Sequence, residues 1–168
     1  MSTEKVEITL FNNAKITCPS GTTVREALAV YNQKALITAI AAKINGLPVD
    51  LSYPLREAAK LDLIESSSPE GLHILRHSTA HVMAQAVQDI FKSVKIAIGP
   101  AIEDGFYYDF DYAESFTPAD LENIEARMGE IIAADHAFQR REVSREEALS
   151  LFSERGDVYK VEIINDLP

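Results

Sequence analysis

The chain has a single cysteine, Cys18, among its 168 residues. One thiol forms no internal disulfide, and no Cys or His stands near it at metal-ligand spacing, so a disulfide-stapled fold and a zinc knuckle are both excluded. Cys18 reads as a half-buried strand residue. No apolar run approaches the roughly 20 residues that cross a bilayer. The opening residues Met1-Ser2-Thr3-Glu4-Lys5-Val6-Glu7 lack the basic start and apolar stretch of a signal peptide. No membrane contact and a cytoplasmic location are the expectation. Basic charge is also short: the net charge is −10, which argues against a protein held on nucleic acid by a general basic surface. What the chain does have is 46% hydrophobic content, enough to bury a core in one ordinary domain or two small ones.

The charge is unevenly placed. Through Ser68, 7 Lys/Arg balance 7 Asp/Glu, whereas from Pro69 onward 9 Lys/Arg face 19 Asp/Glu, so the acidity belongs to the second part. The same place carries the best boundary, Ser66-Ser67-Ser68-Pro69, where small polar residues and a proline separate a strand-like run from a long helical pattern.

In the first unit, Val6–Phe11 and Ala14–Cys18 alternate around an Asn12-Asn13 turn and predict an N-terminal hairpin. Thr23 with Glu26 at capping-box spacing opens a helix whose apolar stripe is Val24, Ala27, Leu28 and Tyr31. Short strands follow at Ala42–Asn45, Pro48–Leu51 and Lys60–Ile64, with a turn at Gly46. Hairpin, helix, then short strands is a β-grasp order.

The second unit opens with Ser68-Pro69-Glu70, an N-cap with proline at the first helical position and an acid near the positive helix end, and its helix is predicted to run to about Phe91. Thr117-Pro118-Ala119-Asp120 and Ser144-Arg145-Glu146-Glu147 open two more helices. Residues Ile96–Asp111 predict two strands around an Asp104-Gly105 turn. The expected class is α+β in two units, with no repeats and no low-complexity tract.

The chemical signal is His77 and His81, four residues apart and so neighbours on one helix face. At 100° per residue, Leu72, Leu75, Thr79, Val82, Met83, Ala86 and Ile90 gather on one side, and His77, Ser78, His81, Gln85 and Gln88 on the other. This placement weighs against satisfied core histidines and leaves a solvated polar face as the plain alternative. A zincin helix needs Glu directly after the first His, and Ser78 stands there. A zinc site needs further ligands, which His73 and His136 do not supply at convincing spacing. Acid–base or water-positioning work by neutral imidazoles remains open, given an unperturbed pKa near working pH.

The runs Arg76-His77-Ser78-Thr79-Ala80-His81, Ile98-Gly99-Pro100, Gly105-Phe106-Tyr107-Tyr108-Asp109 and Tyr159-Lys160-Val161 in this order closely resemble the N-terminal editing domain of bacterial-type threonyl-tRNA synthetases. The first unit resembles the TGS module that precedes it, so the resemblance covers essentially the whole chain. It implies a TGS β-grasp domain over residues 1–66 and the first part of an editing domain over 69–168. It also implies a function: serine differs from threonine by one methyl group, worth about 1–3 kcal/mol or about 10–200-fold in binding. Translation needs more than that, so the family removes serine from threonine tRNA by cleaving the ester at the 3′-terminal adenosine.

Carried over by position, His77 and His81 match the editing histidines, cast as water-positioning or general-base groups. Lys160 matches a lysine of the same cleft, holding substrate or stabilising charge on the ester carbonyl. Tyr108 and Asp109 fall at substrate-binding positions. Tyr107 and Tyr108 alternate along a strand, so only one faces a cleft, and sheet packing is the simpler account of Tyr107. Gly99-Pro100 and Asp104-Gly105 read as turns.

The implied partners are the acceptor end of tRNA(Thr) and the remaining domains of a synthetase that is a homodimer in full. No cofactor is expected in residues 1–168; ATP, Mg and Zn belong to the aminoacylation core. The family completes the editing site with a Cys-x-x-x-His element, and no cysteine follows Cys18 here. The expectation is therefore a fragment that alone neither charges tRNA nor edits efficiently. Two other readings compete: a stand-alone TGS-type module binding RNA, a nucleotide or a protein, and a free-standing aminoacyl-tRNA deacylase.

Overall fold

The computed structural model describes residues 4–137 and 139–168. The chain divides into two compact units, one up to Leu75 and one from Arg76. The class is α+β, with five α-helices and a mixed sheet among the described residues.

The first unit is built on strands β1 (Lys5–Leu10), β2 (Lys15–Pro19), β3 (Ala39–Ile44), β4 (Leu47–Val49) and β5 (Ala59–Glu65), in spatial order β2-β1-β5-β3-β4. Only the β1–β5 pair is parallel. Alternation does what it predicts: Val6, Ile8 and Leu10 of β1 and Ile16 and Cys18 of β2 are buried, and the residues between them face outward. The first hairpin turns at Asn13, which takes a left-handed φ of 64°, while Asn12 Oδ1 accepts from Ala14 N at 3.1 Å.

Helix α1 (Val24–Tyr31) lays Val24, Ala27 and Leu28 on this sheet. Its amino end shows why helix starts need partners. Glu26 N donates to Thr23 Oγ1 at 3.2 Å, Val24 N to Tyr53 O at 3.0 Å and Arg25 N to Leu51 O at 2.8 Å, so the free amides of the first turn are all satisfied. The segment that supplies those carbonyls also buries Leu51 and Leu55 against α1 and the sheet. Each large side chain so enclosed contributes about 1.5–3 kcal/mol. A 3₁₀ turn (Gln33–Ile37) leads into β3, and β3 folds back through a tight Asn45-Gly46 turn into β4.

Helix α2 (Pro69–Ile90) contains the division between the units. Ser68 Oγ accepts from Gly71 N at 3.0 Å at its start, as the Ser-Pro-Glu signature predicts.

The second unit continues with four two-residue strands: β6 (Lys95–Ile96), β7 (Ala101–Ile102), β8 (Gly105–Phe106) and β9 (Phe110–Asp111). β6 pairs with β9 and β7 with β8. The two strands expected around an Asp104-Gly105 turn are thus a ladder interrupted in the middle, where Gly99-Pro100 stands on one side. Gly105 lies opposite Ile102 in the ladder, so Glu103 and Asp104 form the turn. Helices α3 (Pro118–Ala133) and α4 (Arg145–Glu154) both start in capping boxes, Thr117 with Asp120 and Ser144 with Glu147. Helix α5 (Val158–Asp166) completes the unit.

The core of this unit gathers Ala86, Val87, Val94 and Ile124, with Phe91, Phe110, Tyr112 and Phe116 around them. Those four rings pack edge-to-face, tilted or stacked at centroid distances of 5.3–5.8 Å. Arg127 of α3 donates from Nε and Nη2 to Asp89 Oδ2 of α2 at 3.0 and 2.8 Å.

The apolar stripe expected on α2 is only partly what the helix buries: Ala86 is buried and Met83 packs on the core. Leu72, Leu75 and Ile90 are 39%, 40% and 37% exposed, while Ala80, Ala84 and Val87, outside the stripe, are buried. The small alanines allow close approach, so the packed arc is displaced towards the histidine-bearing side.

Candidate functional site

The histidine pair sits where that arc meets solvent. His77 and His81 approach Nε2 to Nε2 at 3.1 Å, with ring centroids 4.6 Å apart and planes at 83°. One nitrogen donates and the other accepts. His81 is also edge-on to Tyr108, centroid to centroid 6.5 Å. It opens onto a cleft of about 190 Å³ whose polar lining is His81, Gln85 and Gln88 from α2, Tyr108 from the segment before β9, Asp157 just before α5 and Lys160 within it, with Ala84 and Ile96 as apolar wall.

The interrupted ladder positions Tyr108. Ala97 N donates to Asp109 O at 3.1 Å and Asp109 N to Ile98 O at 2.8 Å, which continues the β6–β9 pairing through main-chain bonds. Gly99 follows directly, and a Cβ there would fall 2.0 Å from Tyr108 Cδ2. The Tyr108 ring lies against the bare glycine backbone and stacks on Phe110 at 5.2 Å and 23°. Tyr107 is 48% exposed and is not among the residues lining the cleft.

Lys160 depends on how α4 gives way to α5. Gly156 takes a φ of 75°, its N–H donates to Ser153 O at 3.1 Å, and Asp157 N donates to Phe152 O at 2.9 Å. This pair of bonds is a Schellman ending, which needs a left-handed residue and so favours glycine. Asp157 then caps α5, its carbonyl accepting from Lys160 N at 3.0 Å and Val161 N at 3.1 Å. Tyr159 ties the same helix to β9 by donating its phenol to Asp111 Oδ2 at 2.9 Å, a carboxylate that Lys95 Nζ also approaches at 3.6 Å.

The electrostatics follow from this enclosure. Burial first, and then the neighbouring His77 and Lys160, hold the His81 imidazole below its ordinary pKa and keep it neutral near pH 7. Burial and the Asp157 carboxylate push the Tyr108 phenol up, so its hydroxyl remains a proton donor. The His81 imidazole, in contact with His77 and beside a lysine and a phenol, can accept a proton from water, and the lysine and phenol offer charge and a hydrogen bond to an oxyanion.

Of the residues singled out in the sequence, His81, Tyr108 and Lys160 line one cleft, and His77 touches it through His81. Asp109 is exposed and contributes its main chain to the ladder. Sequence reasoning does not single out Asp157, whose signal is its place directly after a helix-ending glycine, or the close-approach role of Gly99. His73 and His136 are exposed. Among the described residues, no group of three or more His, Cys, Asp or Glu comes together to hold a metal ion. No helix of the described residues is long and apolar enough to cross a membrane.

No family model matches the chain. Individual relatives do, and they define a class: aminoacyl-tRNA ligases. The chain is 50% identical over 163 residues to the threonine–tRNA ligase of Desulforamulus reducens, covering 97% of this chain and 26% of the relative. It is 49% identical over 162 residues to that of Pelobacter propionicus (96% and 26%) and 46% identical over 165 residues to that of a Geobacillus species (98% and 26%). Across the length it spans, the chain is similar to threonine–tRNA ligases, and it spans about a quarter of the length of these curated relatives.

Proposed function

We propose that this chain is the front part of a threonyl-tRNA synthetase and serves its proofreading, taking part in the hydrolysis of seryl-tRNA(Thr). The observation that carries the reading is the meeting of His81, Tyr108 and Lys160 at one cleft with His77 in contact behind, in a chain similar to these ligases. In this reading His77 and His81 position and deprotonate the attacking water, Lys160 steadies the developing oxyanion, and Tyr108 holds the terminal adenosine by stacking or through its hydroxyl. Residues 1–66 are then a TGS module. A β-grasp assignment is supported by the helix that follows the first hairpin and by the parallel β1–β5 pair at the middle of an otherwise antiparallel sheet.

The proposal extends to a cytoplasmic enzyme acting as a homodimer on tRNA(Thr), with ATP, Mg and Zn serving the aminoacylation core of the longer protein. The chain by itself is expected neither to charge tRNA nor to edit efficiently.

Deacylation of seryl-tRNA(Thr) by the cellular protein that carries this chain is the test. His77→Ala and His81→Ala should each slow hydrolysis by about 10²-fold or more, with threonine charging intact. Undiminished hydrolysis in both variants refutes the reading. So does a native protein, detected with an antibody against this chain, of about the chain's own 18.6 kDa, which would favour a free-standing binding protein or deacylase.

A further inference from the structure

The second unit is acidic almost everywhere, with 9 Lys/Arg against 18 Asp/Glu from Arg76 onward, yet its cations are not scattered. Lys92, Lys95 and Arg155 line an open cleft of about 340 Å³ together with Ser93 and a single carboxylate, Asp157. That cleft adjoins the histidine site, because Gln88 and Asp157 line both. With Lys160, four of the nine cations of the unit surround two neighbouring clefts.

Their charge is also mostly uncommitted. Among the described residues, Lys92 and Arg155 make no ion pair. Lys95 stands at 3.6 Å from Asp111, a long approach to a carboxylate oxygen already accepting from Tyr159. Exposed pairs at such a distance contribute little to stability. With the Asp157 carboxylate and one long pair to Asp111 to offset them, three cations lining one cleft still leave an excess of positive charge that favours an anion.

We infer that the Lys92–Lys95–Arg155 cleft is a phosphodiester subsite for the single-stranded 3′ end of an RNA whose last nucleotide enters the histidine cleft. The inference rests on the deacylase reading for the direction of the strand. A polynucleotide fits better than an isolated anion for a geometric reason: the cationic cleft continues into one that the Tyr108 side chain also lines. Alternating charged and aromatic groups is how a strand is followed without reading its sequence. It also lets an acidic protein hold RNA locally, since affinity depends on the phosphates contacted and not on net charge.

The test uses the full 168-residue chain and two probes: a 5′-fluorescein heptaribonucleotide ending in adenosine, and a 3′-seryl-amide of adenosine that carries no phosphate. Anisotropy reads the first, and the imidazole proton resonances of His77 and His81 read the second. Replacing Lys92, Lys95 and Arg155 together by alanine should weaken the RNA about tenfold, while the nucleoside probe is unaffected. The slope of log affinity against log salt should become shallower by about 0.7 for each phosphate that is no longer neutralised. The single substitutions, all at exposed positions, should each give part of the effect. RNA binding and salt slope unchanged in the triple variant would overturn the inference, as would no RNA binding by the unaltered chain. Displacement of the RNA by micromolar inorganic phosphate would overturn it in favour of a small-anion site. If the three cations govern RNA binding but the nucleoside probe leaves both histidines unshifted, the subsite stands and the deacylase reading fails.

Discussion

The ring of Tyr108 fills the space in which a side chain at Gly99 would stand, with Cδ2 only 2.0 Å from where a Cβ would be. A turn residue and a cleft residue are thus one packing unit. Gly99→Ala must push the ring off its stack on Phe110 or bend the backbone, and overpacking of this kind costs about 1–3 kcal/mol. Urea unfolding should report that destabilisation, and adding Tyr108→Ala should recover part of it, since contacting sites are not additive. Strict additivity would mean that the close approach is unimportant.

His81 gives a pH dependence of known sign. Its native pKa lies below the ordinary 6.5, so between the two values the unfolded chain binds more protons. Its contribution to stability is therefore complete above pH 6.5 and is lost as pH falls through that value towards the native one. An NMR titration of the His81 ring should show the lowered midpoint. In His77→Ala the midpoint should rise only partway, because burial is the larger cause.

Tyr159→Phe removes the bond to Asp111 without changing the ring. The expected result is faster hydrogen exchange of the amides in Val158–Asp166, confined to α5 and its neighbours, with the first unit unaffected. In the unsubstituted protein, the Asp111 hydrogen bond first, then burial and the charges of Asp111 and Glu162, raise the Tyr159 phenol. Its ultraviolet titration should be displaced to higher pH, and replacing Asp111 with Asn should bring it back down.

Thr23→Ala deletes one half of the α1 capping box and should cost about 0.5–2 kcal/mol. Thr23→Ser should restore most of it. Equal destabilisation in the two variants would place the effect in the methyl group and not in the cap.

These caps are also the most legible part of the sequence. Thr23, Ser68, Thr117 and Ser144 each announce a helix because the side-chain chemistry is local and the partner is three residues away. The strand alternation of Val6–Leu10 is equally plain. Helix α5 has no such signal: Asp157 makes no side-chain cap bond, and Val158-Tyr159-Lys160-Val161 carries β-branched and aromatic residues that suit a strand as well. Its helicity follows from Gly156 ending α4 and from Tyr159 reaching Asp111, 48 residues away. Likewise His77 and His81 declare themselves by spacing, whereas Lys160 and Tyr108 meet them only through tertiary packing, and family resemblance alone suggests their place. The buried arc of α2 escapes a hydrophobicity pattern because such a pattern ranks leucine above alanine, while close packing selects the smaller residue.

The 3.1 Å approach of the two Nε2 atoms has one more consequence. When both rings are neutral, the donor carries its proton on Nε2 and leaves Nδ1 bare, while the acceptor must carry its proton on Nδ1. The two histidines are forced into opposite tautomers, so the pair always turns one lone pair and one N–H outward. Two chemically identical side chains become a base and a hydrogen-bond donor, and moving one proton between the rings' outer nitrogens requires the inner one to cross as well.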